Sequence, residues 1–163
     1  TEGRVDVLAV FNSNEPDTIR RLGFEVITWE PEDFGVPNLG LTYIATEDTV
    51  SDRGDLVERF LKATLKGVEF ALENVEETVD IVLEYAPGAN RDHQRFMLET
   101  ELADARSDLT GLNGVGWMTD EQWGSLYEYL LEFDALPNPF DYKDAFTDRF
   151  LRAVYDEGEL SWP

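Results

Sequence analysis

The chain reads as an α/β domain with a small sheet of about three strands and six to seven helices. Three observations lead there. Short apolar runs bounded by glycine, proline and polar clusters fall within residues 1–46, as buried strands do. The remainder carries apolar residues at three-to-four spacing, the signature of helices with one buried face. A length of 163 residues with 42% apolar and 12% aromatic content suffices for one domain with a real core.

The first strand is predicted over residues 5–11, from Val5 to Phe11. Asn12, Ser13, Asn14, Glu15 and Pro16 follow as a tight polar turn. Pro16 suits the first turn of a helix and holds Glu15 extended, so a short helix runs over 17–22 and Gly23 stops it. A second strand is predicted over 24–29, ending at Trp29. Residues 30–40 hold two prolines and two glycines and are irregular. A third strand is expected over 41–46, then a helical turn over 47–51.

The long helical stretch covers residues 55–85. Val57, Phe60, Leu61, Thr64, Val68, Ala71, Leu72 and Val75 share one face. Asn74, with Glu77 three residues on, is expected to cap a second helix that carries Val79, Val82 and Tyr85 inward. Each large apolar side chain buried contributes about 1.5–3 kcal/mol and a cap about 1 kcal/mol. Packing therefore outweighs capping here. Further helices are predicted over 90–105, over 120–133 behind a Thr119/Gln122 capping box, and over 147–155 on Phe150, Leu151 and Val154. Residues 110–118 form a glycine-rich loop, and residues 158–163 a loose tail.

Charge excludes some partners. The chain has 35 acidic and 13 basic residues, a net charge of −22, with the acids spread throughout. Nucleic acid and anionic membranes need a basic footprint and are not expected partners. Lys62, Lys66 and Lys143 are the lysines, and the other ten basic residues are arginines. Dispersed acidity with little lysine resembles halophilic proteins, in which molar salt screens self-repulsion. No cysteine is present, so disulfides and thiolate chemistry are excluded. No apolar run has membrane-spanning length. The opening residues resemble neither a signal nor a transit peptide, and they begin just before a strand pattern, as a cut inside a longer protein would.

Catalytic signatures are sparse. His93, the single histidine, lies in a polar first helical turn and reads as an exposed surface residue. No paired histidines, HExxH or cysteine set supports a metal, and none is expected. Residues 111–116 hold three glycines but have neither a preceding strand nor a lysine, so they read as a connector rather than a phosphate loop. No cofactor is expected. The turn at Asn12–Glu15 differs. It sets two amides and a carboxylate after a strand end, where open α/β sheets bind ligands, with donors and acceptors suited to a nitrogen heterocycle. The same residues also suit an Asx turn and helix cap bonded to their own backbone, and both readings stand.

A run of motifs resembles one family. Gly3-Arg4-Val5-Asp6, Asn14-Glu15-Pro16, Glu32-Asp33-Phe34-Gly35, the segment 60–67 and Asn74-Val75-Glu76-Glu77-Thr78-Val79 occur in the order seen in thiamine-pyrimidine-precursor binding proteins. Gly116-Trp117-Met118-Thr119-Asp120 and residues 141–151 are similar to that family's later pattern. The family comprises solute-binding proteins of ABC importers and related pyrimidine biosynthesis proteins, with a type II periplasmic-binding fold. The resemblance implies that residues 1–157 are a C-terminal portion of such a protein, with 1–46 a hinge and strand region and 47–157 a mainly helical lobe portion. It implies a non-enzymatic component that binds a thiamine pyrimidine precursor or related heterocycle in an interlobe cleft, through Glu15, with Asn14, Asn12 and Trp29 as further ligand-binding candidates by position and chemistry. Implied partners are the missing N-terminal half, an ABC permease and, through bare strand edges, a second copy. The implied location is the extracellular face of the membrane or the periplasm, lipid-anchored in full length. The biosynthetic branch depends on a histidine and a cysteine-rich segment, and this chain has no cysteine and no histidine in the segment predicted to line the cleft. A cytoplasmic enzyme of that branch and a ligand-sensing regulatory domain are the alternatives.

Overall fold

The computed structural model describes residues 5–162. Gly3 and Arg4 of the first family motif, and Pro163 of the expected tail, lie outside them. Among the described residues there are eight α-helices: α1 (Glu15–Arg21), α2 (Glu47–Asp52), α3 (Gly54–Glu73), α4 (Val75–Tyr85), α5 (Arg91–Asp104), α6 (Asp108–Asn113), α7 (Asp120–Glu132) and α8 (Arg149–Val154). Short 3-10 turns occupy Pro31–Phe34 and Tyr142–Asp144. The one sheet among these residues is an antiparallel pair, β1 (Tyr155–Asp156) and β2 (Glu159–Leu160).

The strand predictions are corrected. Residues 5–11, 24–29 and 41–46 lie outside any helix and form no ladder among the described residues. A strand is defined by N–H and C=O groups paired with a neighbour, and an apolar run without such a neighbour stays open. Their side chains are accordingly exposed: Val7, Leu8, Phe11, Ile27 and Tyr43 all face solvent, and Ile44 is 94% exposed. The expected loose tail is corrected as well, because Glu159–Leu160 pairs back on Tyr155–Asp156.

The chain divides into two compact units. One joins the residues up to Trp29 with Gly67–Ala105; the other joins Glu30–Lys66 with the chain from Arg106 onward. Helix α3 is shared between them. In the first unit α4 packs on α5, and α1 lies against α5. Val79 is fully buried there, and Ala71 and Leu102 are buried. Arg91 at the start of α5 ties it to α4 through Glu76 and Asp80. Asn74 does not cap α4: its side-chain amide donates at 3.0 Å to the Phe70 carbonyl at the end of α3, which also accepts the Asn74 backbone N–H. Tyr85, expected inside, is exposed, as are Phe60 and Phe70 on α3.

In the second unit, Leu65, Phe150, Leu151 and Val154 are buried. The Thr119/Gln122 capping box opens α7 as expected. Part of the predicted glycine-rich loop is helical instead, because Ser107 and Thr110 form a second capping box that starts α6. Phe146 stacks on Trp123 of α7 with centroids 4.9 Å apart. Gly114, at φ +101°, makes room for the Tyr155 ring, whose hydroxyl donates to the Val115 carbonyl at 3.0 Å.

Candidate functional site

The polar turn between Phe11 and Pro16 lies in the first unit. Its backbone closes by a 3.0 Å bond from the Asn14 N–H to the Phe11 carbonyl. The Glu15 carboxylate reaches back to accept the Phe11 N–H at 3.0 Å. Pro16 is buried at the first turn of α1, where its missing N–H costs nothing. Asn14 stands at the cap position of α1, yet its side chain makes no cap bond. That side chain is used elsewhere.

Helix α5 supplies the partner. Its N-cap Asn90 accepts the His93 N–H and sets the first turn, so the His93 ring meets α1. Nδ1 of His93 lies 2.7 Å from Asp17 Oδ2, and Nε2 lies 3.1 Å from Asn14 Oδ1. The His93 and Asp17 side chains are only 16% and 14% exposed. Two corrections follow. His93 is not a free surface histidine, and a histidine does stand beside the segment predicted to line the cleft. About two turns further along α5, Glu101 accepts the hydroxyl of buried Ser13 at 2.5 Å. The turn is thus pinned to α5 at two points, through Ser13 and through Asn14.

The electrostatics follow from the contacts. The Arg21 guanidinium, 2.5 Å from Asp17, holds that carboxyl below its ordinary range, and the His93 bond adds to the effect against the opposing cost of burial. Among the described residues no cluster of histidine and carboxylate side chains is arranged to hold a metal.

The predicted site residues therefore divide. Asn14 and Glu15 are half-buried and hydrogen-bonded within the unit, while Asn12 is exposed. Trp29 is 65% exposed and makes no hydrogen bond or ring contact with Asn12, Asn14 or Glu15 among the described residues. Glu15 bonds its own backbone, as the turn-and-cap reading has it; Asn14 does not. Ser13, Asp17, His93 and Glu101 were not foreseen as a group. They are 4 to 88 residues apart in sequence, and only the docking of α5 on α1 assembles them.

The second unit has an open groove of about 420 Å³ whose walls include Trp117, Phe146, Asp148 and Arg152. Its cation is engaged: Arg152 pairs with Asp148 at 2.6 Å and lies over the Trp117 ring.

Comparison with known proteins bears on the first unit and beyond. The family described as NMT1/THI5 like matches residues 1–78. The riboflavin-binding protein RibY of Chloroflexus aurantiacus is 30% identical over 154 residues, covering 92% of this chain and 43% of its own. The formylaminopyrimidine-binding protein of Halalkalibacterium halodurans is 29% identical over 153 residues, covering 89% of this chain and 45% of its own. The chain thus spans less than half the length of these relatives. Both are named as binding proteins rather than enzymes. No solved structure gives a significant match.

Proposed function

We propose, from the match of residues 1–78 to the family described as NMT1/THI5 like, that the chain is part of the substrate-binding component of an ABC importer for a small nitrogen heterocycle. The observation that carries the reading is that two relatives, aligned over 92% and 89% of the chain, are both named for the small molecules they bind. Riboflavin and a formylaminopyrimidine each carry a planar nitrogen heterocycle with hydrogen-bonding groups on its edge. A thiamine pyrimidine precursor belongs to the same chemical class. Asn12 and Asn14 offer amide donors and acceptors to such an edge, Glu15 an acceptor, and exposed Trp29 a face on which a ring stacks. Glu15 acts by shaping the turn as well, since its carboxylate already holds the Phe11 N–H.

In this reading the turn forms one wall of a cleft whose other wall comes from further chain, and closure about a hinge traps the ligand before docking to a permease. The place of action is the outer face of the membrane or the periplasm, with the full protein lipid-anchored. The segments without a strand partner, 5–11, 24–29 and 41–46, offer backbone to that further chain or to a second copy. Titration calorimetry of the 163-residue chain with formylaminopyrimidine and with riboflavin tests the proposal. Millimolar binding, near −4 kcal/mol, weakened by Asn12→Ala, is the expected result. Micromolar or tighter binding would sink the shared cleft, and equal heats with a non-heterocyclic control would sink the ligand class.

A further inference from the structure

The contact between His93 and Asn14 has a chemical requirement of its own. Asp17 Oδ2 and Asn14 Oδ1 face the two ring nitrogens at 2.7 and 3.1 Å. Both are acceptors, so this arrangement is satisfied only by an imidazolium, which has an N–H on each side. A neutral ring has one N–H. It stays on Nδ1, because a bond to a carboxylate is the stronger of the two. Nε2 then presents a lone pair to an oxygen. Turning the Asn14 amide by half a revolution removes the conflict, placing its NH2 against Nε2. The other end of the amide has no hydrogen bond among the described residues, so the turn costs no existing partner.

We propose that His93 is a positioning residue whose protonation state sets which edge of the Asn14 amide is left free for ligand. With the ring protonated, Asn14 presents its NH2, a donor. With the ring neutral, it presents its carbonyl, an acceptor. The step moves one proton between solvent and Nε2 and breaks no covalent bond beyond that N–H. Several charged groups on the packed elements are engaged with partners other than the ring, while Arg20 on α1, Glu77 and Glu84 on α4 and Asp92 on α5 make no hydrogen bond to it among the described residues. From α1, Asp17 holds Nδ1 and is itself held by Arg21, while Glu15 is turned to the Phe11 N–H. From α4, Glu76 and Asp80 are taken by Arg91. On α5, Arg95 pairs with Glu76 and Glu99, and Glu101 is bound by Ser13. Asp17 and Asn14 are thus the groups that read the ring.

The inference deepens the binding proposal above and rests on it for its use, since a free amide edge matters when a heterocycle lies against it. The experiment separates the two. Because the chain has one histidine, the ring nitrogens of the unaltered protein are identified without ambiguity by 15N NMR. Raising the pH is expected to remove the Nε2 proton, keep Nδ1–H, and switch on a through-hydrogen-bond N–N coupling between Asn14 Nδ2 and His93 Nε2. A neutral ring protonated on Nε2, or no such coupling at the high-pH end, would overturn the proposal. Alongside, cytosine and uracil, which differ by an amino or carbonyl group at C4, are titrated at both ends of the same range. Relative affinity is expected to move roughly tenfold toward cytosine as the ring becomes neutral. If the coupling appears and neither pyrimidine binds, the switch stands and the binding reading falls. If both bind with an unchanged ratio and no coupling appears, the switch falls alone.

Discussion

The bond from Ser13 to Glu101 offers the sharpest test of how the polar turn is held. Ser13 is 4% exposed and its hydroxyl donates to Glu101 at 2.5 Å. A hydrogen bond to a charged acceptor contributes about 1.5–3 kcal/mol. Glu101 is half-buried, so water replaces part of what Ser13→Ala removes, and the lower end, about 1.5 kcal/mol, is expected. With a urea dependence of about 2 kcal/mol per molar, the unfolding midpoint falls by roughly 0.7 M. Glu101→Ala also removes one of 35 acidic residues in a chain of net charge −22, which relieves repulsion and masks the lost bond. A double-mutant cycle cancels that contribution, and 1 M KCl shortens the Debye length to about 3 Å, leaving the contact intact while screening distant charges. Urea titrations of the four proteins should give a coupling of about 1–1.5 kcal/mol. A coupling below about 0.5 kcal/mol, within the range of independent sites, would refute the pinning of the turn to α5.

Gly114→Ala places a Cβ 2.4 Å from the Tyr155 ring at φ +101°; thermal unfolding should show a loss of more than about 2 kcal/mol, and an unchanged midpoint would mean the ring is not seated there. The depressed pKa of Asp17 means it stabilises the fold above its ordinary value of 3.8 and loses that contribution as pH falls through the lower folded value. Asp17→Asn should therefore be less stable than the parent at neutral pH, with the gap closing below pH 3.8 in denaturation curves; a gap that persists in acid would assign the loss to packing. Melting temperature should climb steeply from dilute buffer to molar KCl if the dispersed acidity is a salt adaptation, and a flat response measured by calorimetry would count against it.

Most of the helices were legible because their signals are local. The Thr119/Gln122 box, Pro16 at the start of α1 and the apolar spacing of Phe150, Leu151 and Val154 each act within one or two turns. Asn74 misled because a side-chain amide serves either adjoining helix, and here it donates to the Phe70 carbonyl behind it. Ser107 with Thr110 was overlooked because the glycines beside it read as a loop.

The candidate site lay further from local reach. Asn12, Asn14, Glu15 and Trp29 were marked by chemistry and position, and the turn itself formed, but the partners of Ser13 and Asn14 lie 88 and 79 residues away. Sequence alone determined most of the helices, the polar turn and the family resemblance, since short-range backbone and capping preferences encode the first two and motif order the third. Tertiary structure alone decided that residues 5–11, 24–29 and 41–46 stay unpaired, because a strand needs a neighbour that no local pattern supplies. It also decided that His93 stands between Asp17 and Asn14, because a ring that reads as solvent-facing within its own helix is claimed only when another helix is laid across it.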